Sequence, residues 1–245
     1  MELKVYRDYT TLSHSAAEMI INCIKEKPNA LLCFATGDTP RLTYNMVDEI
    51  AKKEGTDFSK CFIIGLDEWL SIPPGNAGSC NHFLHHYLLQ PLQIDPSQVH
   101  LFNAMTTNEE VECESMNKVV SEKGPVDFMI VGVGMNGHIG FNEPGTDIDS
   151  MAHVVLLDET TRMVGKKYFR EEVSIDKGIT LGLDQVMQAK TLLMIANGKK
   201  KAPVIKQAME KEISTSFPAS LIRKHRNSIL MIDSEAASEL ETSYK

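Results

Sequence analysis

Eight short runs, most of them apolar at every position rather than at alternate ones, constrain what this 245-residue chain can fold into. They are Leu3–Tyr6, Ala30–Ala35, Cys61–Leu66, Val99–Phe102, Asp127–Val133, His153–Leu157, Thr191–Ala196 and Ser228–Ile232. A strand covered on one face alternates apolar and polar side chains, whereas a strand covered on both faces stays apolar throughout. Helical spacings separate the runs, at 11–26, 40–53, 79–90, 108–123, 199–211 and 234–242. This alternation predicts an α/β fold, a doubly wound and mostly parallel sheet with helices on both faces. The helix after Thr39 is the best marked. Thr39 is placed to cap it, Pro40 suits its first position, and Leu42, Met46, Val47, Ile50 and Ala51 form its apolar stripe. No repeat or linker interrupts the pattern, so residues 1–245 read as a single domain.

Composition narrows the function classes. No apolar run approaches the length that spans a bilayer, and the start Met-Glu-Leu-Lys-Val-Tyr-Arg lacks the apolar core of a signal peptide. The five cysteines are scattered without a Cys-x-x-Cys pair, which suggests neither a disulfide framework nor a thiolate metal site. A reducing cytoplasm is the expected location. A formal net charge of −8 argues against a general nucleic-acid binder, yet a local positive pocket can still hold a small anion. His82 and His86 stand four apart on a predicted helix, but no third ligand accompanies them, so no metal site is expected.

Four turns then draw attention, each at the carboxyl end of a predicted strand, where open α/β sheets bind ligands. Thr36-Gly37-Asp38-Thr39-Pro40 opens a helix and can present backbone N–H groups to an anion, although any βα turn needs a glycine, and Asp38 should point away from a phosphate. Asp67-Glu68-Trp69 places two carboxylates where proton transfer could occur; a solvated acidic turn is the plainer alternative. The segment Gly132 to Gly145 gathers Asn136, His138 and Glu143 on a glycine-shaped loop, where Glu143 could fix the tautomer of His138. A glycine-rich turn with one structurally satisfied histidine is the competing reading. Gly198-Lys199-Lys200-Lys201-Ala202 brings a lysine toward the same crevice. Convergence of all four on one small anion is the argument, since none suffices alone.

Taken together, Thr36-Gly37-x-Thr39-Pro40, Leu66-Asp67-Glu68-Trp69, Gly134-x-x-Gly137-His138-Ile139-x-Phe141-Asn142-Glu143-Pro144-Gly145 and Gly198-x-x-Lys201-Ala202 resemble the glucosamine-6-phosphate deaminase/isomerase family over nearly the full length. Asp67-Glu68-Trp69, the stretch 177–183 and the stretch 214–220 are most similar to its galactosamine-6-phosphate branch. The resemblance implies a Rossmann-like fold, no cofactor, and a small amino sugar phosphate as partner. Galactosamine 6-phosphate would give tagatose 6-phosphate and ammonia; the alternative is glucosamine 6-phosphate giving fructose 6-phosphate. It implies that the turn Thr36, Gly37, Asp38 and Thr39 holds the phosphate together with Lys201 and Lys167. His138 would assist ring opening, aligned by Glu143, and Asp67 would move the C2 proton to C1. Asn136 would belong to the same catalytic group, and Glu68, Gly134 and Gly137 would lie against the sugar.

The chain departs from that family in three places. Asn136 stands where most members resembling it have an aspartate. Lys167 or Lys166 falls near a family arginine, exchanging a bidentate fork for a point charge. The residues after Gly145 lack the basic cluster of allosteric members, so no activation by an N-acetylated sugar phosphate is expected, and a monomer or small homo-oligomer follows. A 6-phosphogluconolactonase-type hydrolase and a non-catalytic sugar-phosphate sensor are the rival readings.

Overall fold

The computed structural model describes residues 1–241. Its main sheet has seven strands: β1 (Glu2–Tyr6), β2 (Leu31–Phe34), β3 (Phe62–Gly65), β5 (Val99–His100), β6 (Phe128–Val131), β9 (Thr191–Ala196) and β10 (Ser228–Asp233). They lie in the order β1-β10-β9-β6-β2-β3-β5, and every neighbouring pair is parallel. Because successive side chains point to opposite faces, the continuous apolar runs feed two cores. Leu32, Phe34, Phe128, Ile130, Leu193 and Ile195 pack beneath α1 (Tyr9–Glu26) and α2 (Asp38–Glu54). Their neighbours Leu31, Cys33, Met129, Val131, Leu192 and Met194 pack on the other face with α4 (Glu109–Lys123), α6 (Leu183–Gln188) and α7 (Ala202–Glu210). Among the described residues, no helix is long and apolar enough to cross a membrane.

A second sheet is absent from the sequence expectation. Its three strands are β4 (Asp67–Trp69), β7 (His153–Leu156) and β8 (Lys177–Thr180), antiparallel in the order β4-β8-β7. The chain leaves the parallel sheet at Gly65, the end of β3, and enters this sheet two residues later, at Asp67. Trp69, Phe141, Leu157 and Ile175 form a third, smaller cluster beside it, with the Trp69 and Phe141 rings 4.5 Å apart. Short polar-flanked strands such as Asp67-Glu68-Trp69 have no period to read; their partners make them strands.

Three further expectations are corrected. Helix α2 begins at Asp38 with Gly37 at its N-cap and no side-chain cap; Thr39 Oγ1 instead lies 2.7 Å from Asn197 Oδ1. Pro40 still falls in the first turn, where its missing N–H costs no helical bond. The helix expected at 79–90 divides into α3 (Cys80–Leu84) and a wider π turn over His85–Leu89. The stretch 234–240 forms turns rather than a helix, because Asp233 accepts from Ala236 N at 2.8 Å and so draws the chain into a side-chain-closed turn. Residue 242 lies outside the described residues.

Candidate active site

The winding of the main sheet reverses between β2 and β6. From β2 the chain builds outward through β3 to β5, and from β6 it builds the other way through β9 to β10. At such a switch point the loops leaving two adjacent strands part, opening a crevice beyond their carboxyl ends. A cleft of about 1020 Å³ occupies that position, lined by the loops after β2, β3, β6 and β9. The four turns singled out in the sequence all reach it.

The cationic end is built from three elements. Gly37, at φ 116°, turns the chain from β2 into α2 in a conformation open to glycine, presenting the start of a 17-residue helix to the cleft. Lys201 reaches in from the turn after β9, and its Nζ donates to Val133 O at 2.5 Å. Burial, reinforced by the charge on Lys167, lowers its pKa to about 8. Lys167 lines the cleft as expected, but its Nζ is 2.7 Å from Asp38 Oδ2. Burial works against its charge; Asp38 outweighs that and raises its pKa. Asp38 therefore does not point away: it lines the cleft and pairs with both Lys167 and Arg41. Thr36 Oγ1 lies 3.1 Å from Cys80 Sγ on the cleft wall.

The carboxylate of Asp67 stands where the two sheets meet. Its Oδ1 is enclosed and has no hydrogen-bond partner among the described residues. Burial, with the neighbouring Glu68 adding to it, raises the Asp67 pKa to about 7, and the Cys80 thiol acts in the opposite direction. A carboxyl poised near neutrality in a cleft is suited to taking and returning a proton.

Glu68 is a correction. It is buried and does not line the cleft; its carboxylate accepts from the backbone N–H groups of Trp69, Cys80 and Asn81 at 2.7–2.9 Å. Those bonds hold the start of α3 behind Asp67, so its charge acts on Asp67 without facing a ligand. Gly137 is a second correction: it too lies off the cleft, backed by the Phe217 ring. Gly134 does line the cleft, directly against the His138 ring, and its N–H donates to His138 O at 2.9 Å.

The histidine network differs from the expected pair. Glu143 Oε2 is 3.6 Å from His138 Nδ1, an ion-pair distance rather than a hydrogen bond. The direct neighbour of Nδ1 is Thr161 Oγ1, at 3.0 Å, on helix α5 (Glu159–Gly165). Asn136 Nδ2 donates to Glu143 Oε2 at 2.8 Å and Asp158 N donates to Oε1 at 3.2 Å. Burial raises the Glu143 pKa, but His138, Thr161 and Asn136 together outweigh it and hold the carboxyl below its ordinary range. Thr161 and Cys80 were missed by sequence reasoning. Thr161 is 23 residues from His138 and looks like any residue in the first turn of a capped helix, so nothing local marks it.

Comparison with known proteins adds the following. Residues 8–231 match the family described as glucosamine-6-phosphate isomerases/6-phosphogluconolactonase. The chain is 36% identical over 239 residues to a glucosamine-6-phosphate deaminase of Thermoanaerobacter sp. (strain X514), covering 97% of this chain and 94% of that protein. It superposes on a solved structure described as a monomeric glucosamine-6-phosphate deaminase with a TM-score of 0.94 at 34% identity, covering 98% and 100% of the two chains. A 6-phosphogluconolactonase from Trypanosoma brucei shares the fold, with a TM-score of 0.76 at 19% identity over 98% of each chain.

Proposed function

This chain belongs to the glucosamine-6-phosphate deaminase/isomerase family and is an enzyme acting on an amino sugar phosphate; from that premise we propose that it converts glucosamine 6-phosphate to fructose 6-phosphate and ammonia. The observation that carries the reading is the cleft itself. It joins a cationic end at Lys201 and the start of α2 to Asp67, whose pKa is raised to about 7. The glucosamine epimer is placed first because the relatives at 34–36% identity carry that name. That reorders the sequence expectation, which put galactosamine 6-phosphate first. The galactosamine reading keeps the residues that suggested it, Asp67-Glu68-Trp69 and the stretches 177–183 and 214–220.

In this proposal the phosphate sits on the amides at Gly37–Thr39 and on Lys201. Remote binding energy there fixes C1 and C2 of the sugar against Asp67. His138 accepts the O1 proton and returns it to O5 as the C1–O5 bond breaks and the aldehyde forms. Asp67 takes the C2 proton while O1 gains a proton, giving an enolamine, and returns it to C1 while the nitrogen gives one up, leaving a C1 hydroxyl and a C2 imine. Water then adds to the C2 imine and ammonia leaves, so substrate and one water yield ketose phosphate and ammonia. A monomer is the proposed working unit, as for the 34% identical relative described as monomeric.

The test is ammonia release from glucosamine and galactosamine 6-phosphates side by side. The proposal expects the gluco epimer to have the higher kcat/KM. A galacto preference would restore the other branch, and no ammonia from either would overturn the deaminase reading.

A further inference from the structure

The side chain nearest to His138 Nδ1 is a hydroxyl, with the Glu143 carboxylate standing behind it at 3.6 Å. Both oxygens of Glu143 already accept, one from Asn136 Nδ2 and one from Asp158 N, which is the pattern of an ionised carboxylate. Asn136 Oδ1 faces the His138 backbone N–H at 3.3 Å rather than the ring. The only side-chain atom within 3.0 Å of Nδ1 among the described residues is Thr161 Oγ1, and Thr161 is 3% exposed, shielded from water that could replace it. Nε2 has no protein partner among the described residues, and its ring lines the cleft.

We infer that Thr161 is the positioning residue of His138, and that Glu143 acts on the imidazole through that hydroxyl. A threonine hydroxyl has one proton to give. Thr161 is among the groups that hold Glu143 ionised, as a donor to that carboxylate does, so its proton goes to Glu143 and the oxygen lone pairs face the ring. Nδ1 must then carry a proton, and Nε2 presents its lone pair to the cleft. That is the tautomer needed to accept the sugar O1 proton and hand it to O5. The imidazolium formed between those two transfers is balanced by Glu143, 3.6 Å from Nδ1. Asn136 contributes by holding Glu143 in place without adding a second negative charge, which would force one of two adjacent carboxyls to take up a proton.

The role of the tautomer in ring opening rests on the proposed deaminase reaction, but the tautomer itself does not. The experiment is therefore twofold. Nitrogen-15 NMR of imidazole-labelled wild-type protein should show His138 as the Nδ1–H tautomer at pH values where it is neutral. In Thr161→Val that bias should be lost, and Thr161→Ser should restore it. Steady-state kinetics of the same proteins should show kcat lowered about tenfold or more in Thr161→Val with KM within about threefold, and the serine variant recovered to within about threefold. An Nε2–H tautomer in the wild type would overturn the inference whether or not the valine variant folds. So would a valine variant with unchanged tautomer and kcat. If the wild type releases no ammonia from either sugar, the deaminase reading fails while the NMR result still decides the role of Thr161.

Discussion

Gly134→Ala tests directly how tightly the position of His138 is set. An added Cβ would lie 2.3 Å from His138 Cε1, 2.4 Å from Nε2 and 2.5 Å from Nδ1, where ordinary contact begins at 3.4 Å. The ring must therefore retreat by about 1 Å, a displacement that costs on the order of 10²-fold in rate when it moves a reacting group. That corresponds to about 2.7 kcal/mol in the barrier. The backbone bond from Gly134 N to His138 O does not involve the side chain and should survive, but the 3.0 Å contact with Thr161 should not. Overpacking costs about 1–3 kcal/mol, offset by about 0.4–1 kcal/mol from a stiffer unfolded chain, so the melting temperature should fall by only a few degrees. The phosphate end sits on other loops. Calorimetry should accordingly find the affinity for inorganic phosphate within about threefold of wild type, while kcat for ammonia release drops about 100-fold. A variant that keeps kcat within about threefold would refute the assignment of His138 to the chemistry, or show that its ring tolerates displacement.

Two more predictions concern pH and stability. Asp67 must be ionised to act as a base and Lys201 protonated to hold phosphate, so kcat/KM should rise through about pH 7 and fall through about pH 8. With limbs that close, rates at pH 6 and pH 9 should be about sevenfold below the optimum. Lys201→Arg should move the alkaline limb upward and leave the acid limb in place; a wild-type profile flat from about pH 6 to 9 would sink the assignment of both groups. At the opposite end of the sheet, Asp127 accepts from Leu31 N at 2.9 Å and from Lys27 and Lys190 at 2.7 Å. Burial raises its pKa, but those donors outweigh it, so its folded value is lowered and its contribution is present at neutral pH and fades on acidification through that value. Lys27 and Lys190 are partly in solvent, which screens their pairing with Asp127. Loss of the buried N–H partner in Asp127→Ala should cost about 2 kcal/mol, or about 4–8 °C in melting temperature, with kcat/KM at 25 °C unchanged. A loss of activity in the folded variant would contradict the separation of the two ends.

The sequence by itself determined the parallel sheet and the location of the cleft. Runs apolar at every position, such as Leu31–Phe34 and Phe128–Val131, require cover on both faces, and the turns that follow them must then lie at the carboxyl ends where ligands bind. Asp67, His138 and Lys201 were legible because each sits in one of those turns. What only the tertiary structure decided is which atoms meet. The antiparallel sheet that seats Asp67 depends on Lys177–Thr180 pairing across more than a hundred residues, and no local period encodes such a partner. Glu68 and Asp67 are adjacent in the chain yet have opposite fates, because successive residues of a strand face opposite sides. One opens on the cleft, and the other is enclosed by three backbone N–H groups. Thr161 reaches His138 because α5 packs across the cleft wall, with Gly165 brought against the Trp69 ring. A hydrogen bond is set to tenths of an ångström by packing, whereas the sequence pattern specifies only which face a residue is on.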